Sequence, residues 1–186
     1  MIALLDLLSR YIEEKIMVVW LIGLSGAGKT TLANKIVTDA NKMSQNTVLI
    51  DGDVIREVFG HDLGYTMENR LVNAQRICQL GKFLDSQGID VVCAILSLFP
   101  ETREWNRKHL DNYYEVFIDT PIDILVDRDS KGIYGKYTKG EISNVAGMDL
   151  EFHLPKEADL VIDNSGSEAD LLSHARKIVE VIKNQS

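Results

Sequence analysis

The chain has 186 residues, 45% of them hydrophobic, with three prolines and a formal net charge of −8. That is enough for one well-buried core and short for two. The acidic balance argues against general affinity for nucleic acid or an anionic membrane, which reward basic faces, and points to a small-molecule partner held in a locally positive pocket.

Met1 to Ile16 places Ile2, Leu4, Leu5, Leu7 and Leu8 among charges at Asp6, Arg10, Glu13, Glu14 and Lys15. No basic run precedes the leucines and no small-residue cleavage site follows them, so a signal peptide is not expected. The periodicity predicts an amphipathic helix packed on the domain or on the partner of a homodimer. No run is long enough to span a bilayer. One domain is expected over residues 17–186. Cys78 and Cys93, the only cysteines, have no metal-ligand spacing and read as buried thiols of a cytoplasmic protein.

The apolar run ending at Ile22 leads into Gly23-Leu24-Ser25-Gly26-Ala27-Gly28-Lys29-Thr30, a complete G-x-x-x-x-G-K-[ST] phosphate loop. Gly23, Ser25, Gly26, Ala27 and Gly28 are expected to present amides to a nucleoside triphosphate, with Thr31 beside them. Lys29 would reach the β- and γ-phosphates and the Thr30 hydroxyl would ligate Mg²⁺. The helix that follows puts its positive end beneath the anion. ATP and Mg²⁺ are therefore the expected cofactors.

Short runs rich in Val and Ile predict strands over Val18–Ile22, Val48–Asp51, Ile89–Leu96, Tyr114–Asp119 and Leu160–Asp163. Helical patterns over Lys29–Asn41, Glu68–Gln87, Thr102–Asn112, Ile122–Arg128 and Glu168–Lys183 alternate with them. Such alternation predicts a three-layer α/β/α domain, a five-stranded parallel sheet of the P-loop NTPase type flanked by helices. Asp129 to Pro155 has no clear periodicity, and an aperiodic stretch of that length predicts a functional lid.

The second strand ends in Asp51-Gly52-Asp53, where open α/β sheets bind ligands. One carboxylate would hold a Mg²⁺-bound water while the other accepts a proton from an attacking hydroxyl; capping of the next helix is the alternative for an Asp here. Ser97 ends the third strand, as a phosphate-site hydroxyl or as a turn residue. Arg70, Asn73 and Arg76 recur every three residues, and Arg70 falls within the apolar arc of its helix. Arginine suits bidentate recognition of phosphate or sulfate, although a solvated charged face has the same spacing.

Together with the phosphate loop, the segments Asp51-Gly52-Asp53-Val54-Ile55-Arg56, Asp62-Leu63-Gly64-Tyr65, Arg70 to Arg76, Glu115 to Pro121, Arg128 to Tyr134 and Lys139-Gly140-Glu141-Ile142 resemble adenylylsulfate (APS) kinase, in order, from about Val18 to Ile162. The resemblance implies ATP-dependent phosphorylation of the 3′-hydroxyl of adenosine 5′-phosphosulfate. It implies that Asp53, Arg56, Tyr65, Arg70, Asn73 and Ile142 face the acceptor nucleotide, that Arg128 and Lys136 belong to the lid over the phosphates, and that Ser97 occupies the place of a serine able to accept phosphate. In-line transfer would use Lys29, Asp53 and Arg128, with Asp51 as second candidate base and as metal ligand with Thr30.

Two departures fall on the acceptor side. Ser97-Leu98-Phe99-Pro100-Glu101 lacks the family's Pro-aromatic-Arg after the serine, so the cation near sulfate is missing unless Arg103 replaces it. Ser143-Asn144-Val145-Ala146-Gly147 stands where the family has Lys-Gly-Phe-Thr-Gly, so Val145 replaces the Phe that would stack on adenine. A relative acting on another nucleotide, such as cytidine diphosphoramidate in capsule modification, is the alternative. A nucleotide-dependent switch is a third, although the chain has no guanine-specifying Asn-Lys-x-Asp motif.

Overall fold

The computed structural model describes residues 16–43 and 45–185; apart from Ile16, the expected N-terminal helix lies outside them. The strands are β1 (Val18–Ile22), β2 (Thr47–Asp51), β3 (Asp90–Ile95), β4 (Tyr113–Asp119) and β5 (Leu160–Asp163). They pair in parallel in the order β2-β3-β1-β4-β5. The helices are α1 (Lys29–Lys42), α2 (Gly52–Val58), α3 (Met67–Asp85), α4 (Pro100–His109), α5 (Ile122–Arg128), α6 (Ile133–Thr138), α7 (Glu168–Ser173) and α8 (Ala175–Gln185).

Alternate strand residues serve opposite layers. Val19, Leu21, Val92, Ala94, Val116 and Ile118 pack with Leu32 and Ile36 of α1 and with Ile178 and Ile182 of α8. Val18, Trp20, Ile22, Val91, Cys93 and Phe117 pack with Ile77 and Cys78 of α3 on the other face. The two-residue period of a strand, covered on both sides, explains why these runs are apolar throughout rather than alternating. Each buried aliphatic contributes about 1.5–3 kcal/mol, so packing on both faces stabilises the sheet whose carboxyl edge carries the loops described below.

Several elements differ from the sequence expectation. Helix α2 forms directly after β2 because Asp51 caps it, accepting from the Asp53 amide at 2.9 Å. Pro100, pre-set for a first helical turn, starts α4 two residues earlier than expected. The single helix expected over Glu168–Lys183 is two, α7 and α8, broken at His174. There the Ser173 hydroxyl donates to the Asp170 carbonyl at 2.6 Å and competes with the backbone ladder. The stretch expected to form a lid, Asp129 to Pro155, contains α6, whose start is tied by Asp129: its two carboxylate oxygens accept from the Tyr134 and Gly135 amides.

Candidate active site

The phosphate loop, the Asp51–Asp53 turn and the Leu96–Phe99 loop follow β1, β2 and β3, which are adjacent in the sheet, so they meet at one edge with the lid above them. They enclose a cavity of about 670 Å³ lined by Ser25, Lys29, Thr30, Asp51, Asp53, Tyr65, Arg70, Lys131, Lys136, Ile142 and residues 143–146. A smaller recess of about 80 Å³ continues toward Arg56, Asn73 and Ser97.

Within the loop, Gly26 and Gly28 have φ of 80° and 86°, the left-handed region that glycine enters without a Cβ penalty. A Cβ on Gly23 would lie 2.8 Å from the Ile118 carbonyl oxygen. The Ala27 amide closes a turn onto the Leu24 carbonyl at 3.2 Å. Thr31 lies on the exposed side of the first turn of α1 and is not among the cavity-lining residues.

Lys29 donates to the Leu24 carbonyl at 2.8 Å. Burial, reinforced by the Lys131 charge and opposed by Asp53 and Asp51, pushes its ammonium down to about 8. Thr30 Oγ1 donates to Asp51 Oδ2 at 2.6 Å. Asp51 thus serves the helix cap with one oxygen and the Thr30 hydroxyl with the other, so the two readings of this residue hold together. A hydroxyl and a carboxylate this close are hard oxygen donors of the kind magnesium takes beside substrate phosphates. Among the described residues no group of three or more His, Cys, Asp or Glu could hold a metal by itself.

Asp53 sits at the cavity mouth and accepts from Lys131 Nζ at 2.6 Å. Desolvation opposes its ionisation, but the Lys131 hydrogen bond and the charges of Lys131, Lys29 and Arg56 outweigh it and hold the carboxyl below its ordinary value. Lys131 is a lid residue that sequence reasoning did not single out; its signal was a cation within the family-like run Arg128 to Tyr134.

Toward the smaller recess, Arg56 is buried and donates to the Leu63 and Gly64 carbonyls at 3.1 and 2.8 Å, with its guanidinium 4.9 Å from the Tyr65 ring centroid. Arg70 donates to the Tyr65 carbonyl and, across to the lid, to the Asn144 carbonyl, each at 2.9 Å. Its place in the apolar arc is explained by this cleft position. Asn73 is buried behind Gly52. Arg76, by contrast, faces away in a bidentate pair with Asp62 at 3.1 and 2.7 Å. Lys136 and Ile142 line the lid side of the cavity.

Two residues sit apart from the larger cavity. Arg128 donates to the Gly166 carbonyl at 2.8 Å and is not among its lining residues. Ser97, with φ of 54°, lines the small recess, and its hydroxyl accepts from the Trp20 indole at 3.3 Å. Arg103 is buried and donates to the Ser97 carbonyl at 2.8 Å and the His153 carbonyl at 3.3 Å, so its guanidinium braces two backbone segments.

A phosphate loop at the amino end of α1, paired carboxylates at the next strand's edge and a cationic lid define a P-loop kinase fold. The adenylylsulphate kinase family model matches residues 15–163. The chain belongs to that family, and its activity is phosphotransfer of the adenylylsulphate kinase type. It is 42% identical over 148 residues to a cytidine diphosphoramidate kinase of Campylobacter jejuni, covering 80% of this chain and 86% of the relative. With an adenylyl-sulfate kinase of Pseudomonas aeruginosa it shares 36% over 161 residues, covering 86% and 82%. The Mycobacterium tuberculosis APS kinase CysC in complex with AMPPNP and APS superposes with a TM-score of 0.83 at 31% identity, over 91% of this chain and 98% of that one.

Proposed function

We propose that the protein transfers the γ-phosphoryl group of MgATP to the ribose 3′-hydroxyl of a nucleotide, and that this nucleotide is cytidine diphosphoramidate. The observation that carries the choice is Arg103. It is the cation that would have replaced the one missing after Ser97, and it is buried against the Ser97 and His153 carbonyls instead. Sulfate and a terminal phosphoramidate carry the same single negative charge, but the phosphoramidate adds P–NH₂ donors, so part of its recognition can come from acceptors rather than from a cation at this place. The 42% identity to the Campylobacter jejuni enzyme agrees.

APS is the second reading, favoured by the retained Asp53, Arg56, Tyr65, Arg70 and Asn73. Against it, Val145 supplies no aromatic face for adenine, and stacking of a base on an aromatic contributes about 1–3 kcal/mol in single-stranded complexes.

In either reading Thr30 and Asp51 would hold Mg²⁺, which supplies charge neutralisation at the phosphates. Lys29 binds the β- and γ-oxygens, and Arg56, Arg70 and Asn73 orient the acceptor. Asp53, kept ionised by its lysine partner, accepts a hydrogen bond from the incoming 3′-hydroxyl and takes its proton late, as suits a loose phosphoryl-transfer transition state. Lid closure keeps water from acting as the acceptor. The test is a comparison of kcat/KM with ATP and either cytidine diphosphoramidate or APS, the product mass showing one added phosphate. Preference for cytidine diphosphoramidate is expected, and preference for APS would reverse the assignment.

A further inference from the structure

Two side chains remote in sequence from the phosphate loop hydrogen-bond its backbone from outside. Tyr134 Oη, on α6 of the lid, donates to the Ser25 carbonyl at 2.9 Å. Asn164 Nδ2, just past β5, donates to the Ala27 carbonyl at 3.1 Å. Both residues are buried, 2% and 4% exposed, so neither bond is exchanged for water. Both donors are themselves fixed. The Tyr134 amide is held by Asp129 at 3.0 Å, and the Asn164 amide donates to the Asp119 carbonyl at 2.8 Å.

In a planar trans peptide the C=O and the following N–H point in opposite directions. Holding the Ser25 carbonyl outward therefore turns the Gly26 N–H inward, and holding the Ala27 carbonyl does the same for the Gly28 N–H. These two glycines have the freest backbone in the loop and stand at φ of 80° and 86°, where nothing in their own side chains fixes the peptide plane. We infer that Tyr134 and Asn164 are positioning residues of the triphosphate site, each aiming one glycine amide at the anion. Because Tyr134 belongs to α6, the lid's placement and the shape of the anion nest are linked through one hydroxyl. Burial pushes the Tyr134 phenol up to about 12, with the Asp129 charge adding to it, so it remains a donor at neutral pH.

The inference rests on the loop holding a triphosphate and not on the identity of the acceptor, so magnesium tripolyphosphate is the probe. Tyr134→Phe and Asn164→Ala, made in the full chain, are each expected to weaken tripolyphosphate binding by calorimetry about threefold to tenfold, the size of one neutral hydrogen bond. The KM for ATP should rise while that for the acceptor stays within about twofold. In amide NMR spectra Tyr134→Phe should displace the Gly26 resonance more than that of Gly28, and Asn164→Ala the reverse. Asn164→Asp keeps the side-chain shape but sets an acceptor against the Ala27 carbonyl, and is expected to weaken binding at least as much. Wild-type tripolyphosphate affinity in a folded variant removes that residue from the role. Equal displacement of both glycine amides, or equal rises in both KM values, would overturn the inference in favour of general support of the fold.

Discussion

Lys29 makes the charge of the triphosphate site depend on pH in a range where few lysines titrate. In the free protein its ammonium is pushed down to about 8 by burial and by Lys131, against an ordinary value near 10.4. The triphosphate brings several negative charges to that nitrogen, so the bound lysine regains its proton and its pKa moves up. At pH 8 the free lysine is about half protonated and at pH 7 about nine-tenths, so binding takes up about 0.5 and about 0.1 proton respectively. The sign follows from linkage: the protonated form binds, so affinity is flat below pH 7 and falls above pH 8, by about tenfold in the protonated fraction at pH 9. Calorimetric titration with MgATP in two buffers of different ionisation enthalpy measures the uptake directly. Lys29→Arg, protonated throughout this range, provides the control and should bind with no uptake at pH 8. No difference between buffers for the wild type at pH 8, or the same uptake in Lys29→Arg, would refute the reasoning.

Asp53→Asn keeps the size of the side chain but removes the proton acceptor and the charge that Lys131 meets at 2.6 Å. Turnover is expected to fall by about 10² or more with MgATP affinity changed by no more than about twofold, a split that single-turnover and binding measurements resolve. Gly28→Ala forces a side chain into φ of 86° with its Cβ 2.5 Å from Leu171 Cδ2. The left-handed backbone alone costs about 1–2 kcal/mol, so a lower midpoint in thermal melts and weaker ATP binding are both expected. Val145→Phe restores an aromatic to the lid wall and should raise kcat/KM for APS by about fivefold to a hundredfold, and that for cytidine diphosphoramidate by less because its ring is smaller, so the ratio shifts toward APS. An unchanged ratio, in a variant whose melting is unaltered, would separate Val145 from base choice.

The sequence made legible what depends on contiguous residues. Gly23 to Thr30 and the apolar runs around it carry the strand, the turn and the helix start in one segment, and Asp51-Gly52-Asp53 follows a recognisable strand end. Contacts bridging long separations were less legible. Lys131 meets Asp53 across 78 residues and Asn164 meets Ala27 across 137, and neither partner has a local pattern that announces the other. Arg103 shows the same limit: a lone arginine after Ser97 reads as a free cation, and only the folded chain shows its guanidinium committed to two carbonyls. Helix α6 escaped notice because it has six residues, too few for a period, and depends on Asp129 at its start.

The phosphate loop and the carboxylate turn line one cavity, and the proposed reaction passes a phosphoryl group there to a nucleotide sugar rather than to water. Incubation with γ-³²P-labelled MgATP and cytidine diphosphoramidate, followed by chromatography and by NMR detection of phosphorus coupling to the ribose H3′, addresses this most directly. Label in the nucleotide, esterified at the 3′ position, is predicted. Label in inorganic phosphate alone, with either this acceptor or APS present, would contradict it.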